Sequence, residues 1–287
     1  MEISGTTKLF CLIGSPVSHS SSPAMHNFSF EHLGLDCRYL AFDIGKERIA
    51  DAVSAIRTLP IHGCNVTMPC KTAILPYLDE LSPAARLVGA VNTVVNQNGK
   101  LVGHITDGVG FVNSLRAEGV EVAGKRITIL GSGGAATAIQ IQCALDGAEQ
   151  ITIFCREDSF LPQAQRTVQT IQEHVPSCRI ELFDLTETEQ LARSLAESHI
   201  LANATKVGMA PLEQESLVPD AGWFHSGLIV TDAVYHPKET KMLQEAKAKG
   251  CKVIGGLGML LWQGAEAFRL FTGKEMPVKE VYEKYFQ

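Results

Sequence analysis

The chain has 287 residues, of which 45% are hydrophobic and 20% charged, with a formal net charge of −6. Such a length suits one large domain or two of ordinary size, and the composition is that of a globular protein with an ample core. The acidic balance leaves no electrostatic footprint for nucleic acid, no apolar run reaches the ~20 residues of a membrane span, and Met-Glu-Ile-Ser-Gly at the start is no secretory signal.

Lys8–Ile13 reads as a first strand, stopped at Gly14-Ser15-Pro16. Ser22 before Pro23 predicts a hydroxyl N-cap with proline at the first helical position, opening a helix to about Leu33. One cap needs one serine. Ser20, Ser21 and Ser22 together can also receive a small carboxylate at a helix N-terminus, and both readings stand. Arg38–Phe42 is a second strand, Ile49–Leu59 a helix, and Gly63–Thr67 a third strand that leads into Met68-Pro69-Cys70-Lys71. Helical stretches over Ala73–Leu78 and from Ser82-Pro83 come next. Asn98-Gly99 then marks the turn of a hairpin between Ala90–Val95 and Leu101–Ile105. Thr106-Asp107-Gly108 ends that hairpin, and Gly110–Glu118 is a helix.

Arg126–Leu130 meets a glycine cluster, Gly131, Ser132, Gly133, Gly134 and Ala135, which opens a helical pattern carrying Ile139 and Cys143. Strand, glycine turn and helix in that order make a dinucleotide-binding unit, with Ala136 at the close-packed small position. A glycine-rich loop without a ligand is the plainer reading. The next strand, Gln150–Phe154, favours the first, because it leads to Cys155-Arg156-Glu157-Asp158, where Asp158 can accept from ribose hydroxyls. Further strands at Arg179–Leu182, Ile200–Ala204, Leu228–Asp232 and Lys252–Ile254 alternate with helices at Ser159–Val175, Glu187–Glu197 and Lys238–Lys249. Met259–Phe271 is an amphipathic helix, and a short helix ends the chain. The fold class is therefore α/β, with an N-terminal, mostly parallel domain (1–109 plus 259–287) and a doubly wound Rossmann domain (110–258).

Ligands of open α/β sheets bind at the carboxyl ends of strands, so Lys71 and Asp107 stand out. Oxidising an alcohol sends a hydride from carbon and a proton from oxygen. A lysine able to lose its proton can accept the second, and a carboxylate can hold it in register. Taken singly, each is more often an ordinary surface charge.

The longer pattern resembles the shikimate dehydrogenase family, in its quinate/shikimate branch. The matching stretches are Ile13–Pro23, Asn65–Lys71, Gly89–Thr93, Thr106–Gly108, Gly131–Ala135, Thr205–Met209, Tyr235–Pro237 and Gly256–Gln263, in the family's order along nearly the whole chain. The resemblance implies a dehydrogenase that interconverts quinate or shikimate with the 3-dehydro acid, with Lys71 and Asp107 as catalytic pair. It makes Ser20 and Ser22 the carboxylate binders, and Thr67, Asn92, Tyr235 and Gln263 further substrate contacts. Gly131, Ser132, Gly133, Gly134, Ala135, Arg156, Asp158, Thr205, Lys206, Gly256 and Met259 would bind the cofactor. Met259 and Trp262 read first as helix packing, with Met259 also placed to flank the nicotinamide, and Tyr39 as core or ring contact.

The NADP-using branch carries Asn-Arg-Thr and a further arginine where this chain has Cys155-Arg-Glu-Asp158, so NAD is the expected cofactor and NADP a weaker one. The expected partner is a small hydroxylated cyclohexane or cyclohexene carboxylate, with no nucleic acid and no membrane; a homodimer is compatible with everything read here. Eight scattered cysteines without a C-x-x-C pair point to a reducing cytoplasm, and no cluster has zinc-ligand spacing, so no metal is expected. Two other readings remain: a dehydrogenase of an amino-substituted analogue, and a catalytically dead nucleotide-binding regulator.

Overall fold

A computed structural model describes residues 2–59 and 61–286. The chain divides into two compact units, one of Met1–Thr106 with Leu261–Gln287 and one of Asp107–Leu260.

The first unit holds a six-stranded sheet in the order β2-β1-β3-β5-β6-β4. Its strands are β1 (Lys8–Gly14), β2 (Cys37–Asp43), β3 (Gly63–Val66), β4 (Glu80–Leu81), β5 (Thr93–Gln97) and β6 (Lys100–His104). β1 lies parallel to β2 and β3, and β4 to β6; β5 alone runs antiparallel to its neighbours β3 and β6. β1 is buried along Phe10–Gly14, as a central strand covered on both faces must be. Asn98 and Gly99 both take positive φ, 55° and 95°, as the two-residue hairpin turn demands. Two residues, Glu80–Leu81, are too few to show periodicity, and β4 was not foreseen.

Helices α1 (Ser22–His32), α2 (Ile49–Thr58), α3 (Cys70–Ala73) and α4 (Pro83–Val88) belong to this unit. Ser82 caps α4 by accepting from the Ala85 amide at 3.2 Å. The expected cap at Ser22 is corrected: Ser21 is the N-cap residue of α1, in αR geometry, and makes no side-chain cap bond. The helical stretch expected at Ala73–Leu78 starts instead at Cys70, and a 3-10 turn at Leu75–Tyr77 continues it.

The second unit holds an all-parallel sheet in the order β12-β11-β10-β7-β8-β9. The strands are β7 (Arg126–Leu130), β8 (Gln150–Cys155), β9 (Arg179–Asp184), β10 (Ile200–Asn203), β11 (Ile229–Asp232) and β12 (Lys252–Ile254). Counted within the unit this is the order 3-2-1-4-5-6 read backwards, whose reversal point lies beside the first strand. Helices α5 (Asp107–Ala117), α6 (Gly134–Leu145), α7 (Leu161–His174), α8 (Thr188–Glu197) and α9 (Lys241–Ala248) accompany it. Leu191 and Leu195 of α8, one turn apart, enter a core with Leu130, Phe154, Leu201 and Val230. Two helices complete the chain, α10 (Leu257–Thr272) and α11 (Val278–Tyr285). Among the described residues no helix is long and apolar enough to cross a membrane. All eight cysteines are buried free thiols.

The core of the first unit is aromatic. Phe10 lies 5.5 Å from Phe30 and 5.0 Å from Phe271, and Phe30 lies 5.3 Å from Phe268, so α10 supplies two of the rings. His26 stacks on Tyr39 at 4.5 Å within this cluster, and its Nδ1 makes no hydrogen bond. Burial pushes the His26 imidazole down to about 3. Its unfolded value is 6.5, so between pH 6.5 and 3 the unfolded chain binds a proton that the folded chain refuses. Stability is full above that window and falls on acidification, by up to about 1.4 kcal/mol per pH unit. Replacing His26 by glutamine, which cannot protonate, should flatten the drop in melting temperature between pH 7 and pH 5. Parallel curves for the two proteins would remove His26 from the acid response.

Candidate active site

In the first unit the polar candidates gather at the carboxyl ends of β1, β3 and the segment before β5. The backbone makes the arrangement. The Thr67 amide donates to Ile13 O at 2.9 Å, Cys70 N to Thr67 O at 2.9 Å, Val91 N to Lys71 O at 2.9 Å, and Val66 N to Asn92 O at 2.8 Å. Thr67, Lys71 and Asn92 are thereby brought together, with Lys71 on the short helix α3 and half-buried.

Beneath them runs a buried polar chain. Tyr39 donates its phenolic proton to Asn65 Oδ1 at 2.8 Å, and Asn65 Nδ2 donates to Thr93 Oγ1 at 3.0 Å and to Asn92 O at 3.2 Å. Asn92 Oδ1 accepts from the Thr106 amide at 2.8 Å. Burial holds the Tyr39 phenol well above its ordinary range, and a hydrogen bond with the Ser22 hydroxyl opposes that rise. Ser20 Oγ accepts from the Ser22 amide at 3.3 Å, which ties the two candidate carboxylate-binding serines to each other. Gln263 lies half-buried on α10.

In the second unit the glycine turn after β7 is held from three sides. Gly131 N donates to Phe154 O at 2.8 Å, Gln140 Nε2 donates to Gly131 O at 2.9 Å, and Ala204 N donates to Leu130 O at 2.9 Å. Gly131 takes a φ of +114°, and a Cβ there would lie 2.8 Å from Thr205 Cγ2 and 3.1 Å from Ala204 O. Gly133 and Gly134 are different, because a Cβ on either would meet nothing within 4 Å. Internal packing does not require their missing side chains, whereas a pyrophosphate approaching the backbone does. α6 starts at Gly134 with no side-chain cap, so its first amides are free to serve phosphate oxygens. These residues fit a dinucleotide.

At the end of β8 an open groove of about 650 Å³ is lined by Arg156, Glu157, Asp184, Leu185 and Thr186. Asp184 Oδ2 accepts from the Glu157 amide at 3.1 Å, and Oδ1 accepts from Thr186 N and Thr186 Oγ1. Those hydrogen bonds hold the half-buried Asp184 carboxyl below the usual carboxylate range. Asp158 is exposed and not on the groove wall, and its Oδ1 accepts from Phe160 N at 2.7 Å, at the entry to α7.

Asp107 follows β6 as expected and is also the first residue of α5, where a carboxylate lies at the positive end of the helix. Lys206 and Tyr235 are exposed, Thr205 and Met259 half-buried, and Gly256 is buried where a Cβ would meet Ala233 O at 2.5 Å. Sequence reasoning missed Asn65, Thr106, Asp184, Asn203 and Asp232. The available signal was a polar residue closing an otherwise apolar strand, as in Ile200-Leu-Ala-Asn203 and Ile229-Val-Thr-Asp232. Burial pushes the Asp232 carboxyl up to about 6, against the pull of three hydrogen bonds. Among the described residues no group of three or more His, Cys, Asp or Glu could hold a metal ion.

An all-parallel sheet in this order, with a glycine turn after its first strand and an uncapped helix start, defines the Rossmann class of dinucleotide-binding α/β protein. The family model for the shikimate dehydrogenase substrate binding domain matches residues 12–94, and that for the shikimate 5'-dehydrogenase C-terminal domain matches 256–284. A curated relative from Listeria monocytogenes serotype 4b, named shikimate dehydrogenase (NADP(+)), is 51% identical over 285 residues, 99% of this chain and 98% of its own. A crystal structure of shikimate 5-dehydrogenase from Listeria monocytogenes, in complex with shikimate and NAD, matches with a TM-score of 0.98 at 51% identity, covering 100% of this chain and 99% of that one. Quinate dehydrogenase from Corynebacterium glutamicum, in complex with NAD, matches at 0.86 and 29% identity over 97% of this chain and 98% of that one. The chain belongs to the shikimate dehydrogenase family.

Gly131→Ala should destabilise the second unit by about 1–3 kcal/mol, the cost of a side chain in that backbone conformation, and weaken dinucleotide binding with it. Urea unfolding followed alongside dinucleotide titration checks both, and an alanine variant equal to wild type in each would show that the turn relaxes freely.

Proposed function

We propose that this chain is an oxidoreductase that interconverts shikimate and its 3-dehydro acid with a nicotinamide dinucleotide, and that it accepts quinate as a second substrate. One observation carries the reading: 51% identity along 99% of the chain to a protein named shikimate dehydrogenase (NADP(+)). The quinate reading draws support from the likeness to the Corynebacterium enzyme. An amino-substituted substrate has no such support, and a silent regulator would not need both Lys71 and Asp107.

The dinucleotide, when bound, supplies the hydride acceptor or donor. The chain's own residues do the rest. Ser20 and Ser22 donate to the substrate carboxylate. Thr67, Asn92, Tyr235 and Gln263 take the ring hydroxyls, since hydroxyl and amide groups both donate and accept. Lys71 accepts the proton of the hydroxyl being oxidised and returns it in reduction, and Asp107 is its carboxylate partner. Gly131 to Ala135, Thr205, Lys206, Gly256 and Met259 hold the dinucleotide. Residues 1–109 with 259–287 serve the acid and 110–258 the dinucleotide.

We also read the chain as preferring NAD. The groove wall sets two carboxylates, Glu157 and Asp184, against the single guanidinium of Arg156. A 2′-phosphate offers only acceptors and adds like charge, so it meets repulsion at short range. One Listeria monocytogenes relative is named for NADP(+), and a crystal structure of a Listeria monocytogenes shikimate 5-dehydrogenase is a complex with NAD, so both cofactors occur among similar proteins.

Lys71→Ala should lower kcat by about 10²–10⁴-fold, as for other positioned acid–base groups, with shikimate KM within about tenfold. A variant keeping more than a third of wild-type kcat at every pH removes Lys71 from the proton transfer. For the cofactor, kcat/KM should be higher with NAD than with NADP, and Glu157→Ala should narrow that gap more than Asp158→Ala, because Glu157 is on the groove wall. A wild-type preference for NADP would make Arg156 the selector instead.

A further inference from the structure

The geometry points to Asp232 as a positioning residue for dinucleotide binding, acting through Asn203 on the loop from Thr205 to Met209. The assignment rests on the dehydrogenase reading for the identity of the ligand. Asp232 ends β11 and is 2% exposed. An ionised carboxylate so placed is costly unless its oxygens are satisfied, and here donors reach both. Asn203 Nδ2 at 3.0 Å and the Val234 amide at 2.8 Å donate to Oδ1, and the Thr240 hydroxyl donates to Oδ2 at 2.7 Å.

The first of these bonds fixes more than itself. Asn203 Nδ2 also donates to Val207 O at 2.9 Å. Two acceptor-only partners on that side leave Asn203 Oδ1 facing the other way, where it accepts from Thr205 N at 3.0 Å and Thr205 Oγ1 at 2.7 Å. The Thr205 hydroxyl thus commits its proton to Asn203 and accepts from Val207 N at 3.1 Å. With its oxygen engaged, Thr205 turns its methyl to the Gly131 turn, against the space that Gly131 leaves empty. The far end of the loop depends on the same carboxylate. Gly208 takes a φ of +101° and packs against the Thr240 side chain, whose hydroxyl Asp232 holds. One buried charge therefore sets both ends of a loop that packs on the phosphate turn and carries Lys206 and Met209 at its surface.

The test is calorimetric titration of NAD and NADP into wild type and into Asp232→Ala, Asp232→Asn and Asn203→Ala, with melting temperatures and steady-state kinetics on the same samples. The assignment expects the dissociation constant of the preferred dinucleotide to rise at least tenfold in Asp232→Ala and Asn203→Ala, while shikimate KM at saturating dinucleotide stays within about twofold. Asp232→Asn keeps an acceptor for Asn203 and should lie within about threefold of wild type. A folded Asp232→Ala or Asn203→Ala that binds dinucleotide as wild type does overturns the assignment and leaves the dehydrogenase reading intact. If both alanine variants fail to fold and Asp232→Asn matches wild type in binding and in melting, the role is structural and the assignment is overturned. A wild-type chain that binds neither dinucleotide overturns both readings.

Discussion

The arrangement of both candidate sites depends on satisfying polar side chains buried at strand ends, the carboxyl ends of β3, β10 and β11 and the amino end of the antiparallel β5. Asn65, Asn92, Asn203 and Asp232 are each under a tenth exposed. A buried amide or carboxylate that lost its partners would cost about 1–3 kcal/mol or more. Each is therefore bound to specific loop amides and hydroxyls, and those loops are where the ligand-facing residues lie. In the first unit the chain Tyr39–Asn65–Asn92–Thr106 ties β2, β3 and the hairpin entrance together below Lys71. In the second, Asp232 and Asn203 do the same for the loop beside the glycine turn. Apolar strand interiors provide the rigidity, and the polar ends convert it into defined loop positions.

The same physics moves two buried groups in opposite senses with pH. His26 is buried among aromatic rings with no partner at Nδ1, so its environment excludes the charged form. Asp232 is buried too, but donors reach both of its oxygens, so burial raises it only to about 6. Between pH 4 and 6 the folded His26 refuses a proton while the folded Asp232 retains one, and their contributions to stability run in opposite directions with pH. Burial alone is a poor guide to titration; the partners decide how far a group moves.

On the proposed reading, cofactor choice turns on a smaller balance of charge. The acidic pair after β8 is visible in the chain, but its members are placed differently. Asp158 is turned to the entry of α7, Glu157 faces the groove, and Asp184, 26 residues beyond Asp158, supplies the second carboxylate of the wall. Its bond to the Glu157 amide also fixes the loop that carries Arg156. A phosphate at this place would meet a preset field rather than a single residue, and one substitution there shifts the balance without reversing it.

The amino-acid sequence by itself determined the order of strands and helices apart from the two-residue β4, the Asn98-Gly99 turn, the glycine turn after β7 and the family. Each is written in local spacing: continuous apolar runs for strands covered on both faces, a hydrophobic period for the helices, and glycines where the backbone turns or a ligand comes close. Element ends were less legible. Lys71 and Asp107 do follow β3 and β6 as read, but the helices expected from Ala73 and Gly110 start earlier, at Cys70 and Asp107, and take both residues in; Ser22 was read as a cap that Ser21 replaces without a side-chain bond. Only the tertiary structure decided which polar residue meets which. Asp232 lies 29 residues from Asn203 and Tyr39 26 residues from Asn65, separations at which spacing carries no signal. Parallel strands are joined by crossovers of a dozen or more residues. The partners of a residue at one strand end therefore lie at the ends of other strands, and sheet order, not sequence distance, brings them together.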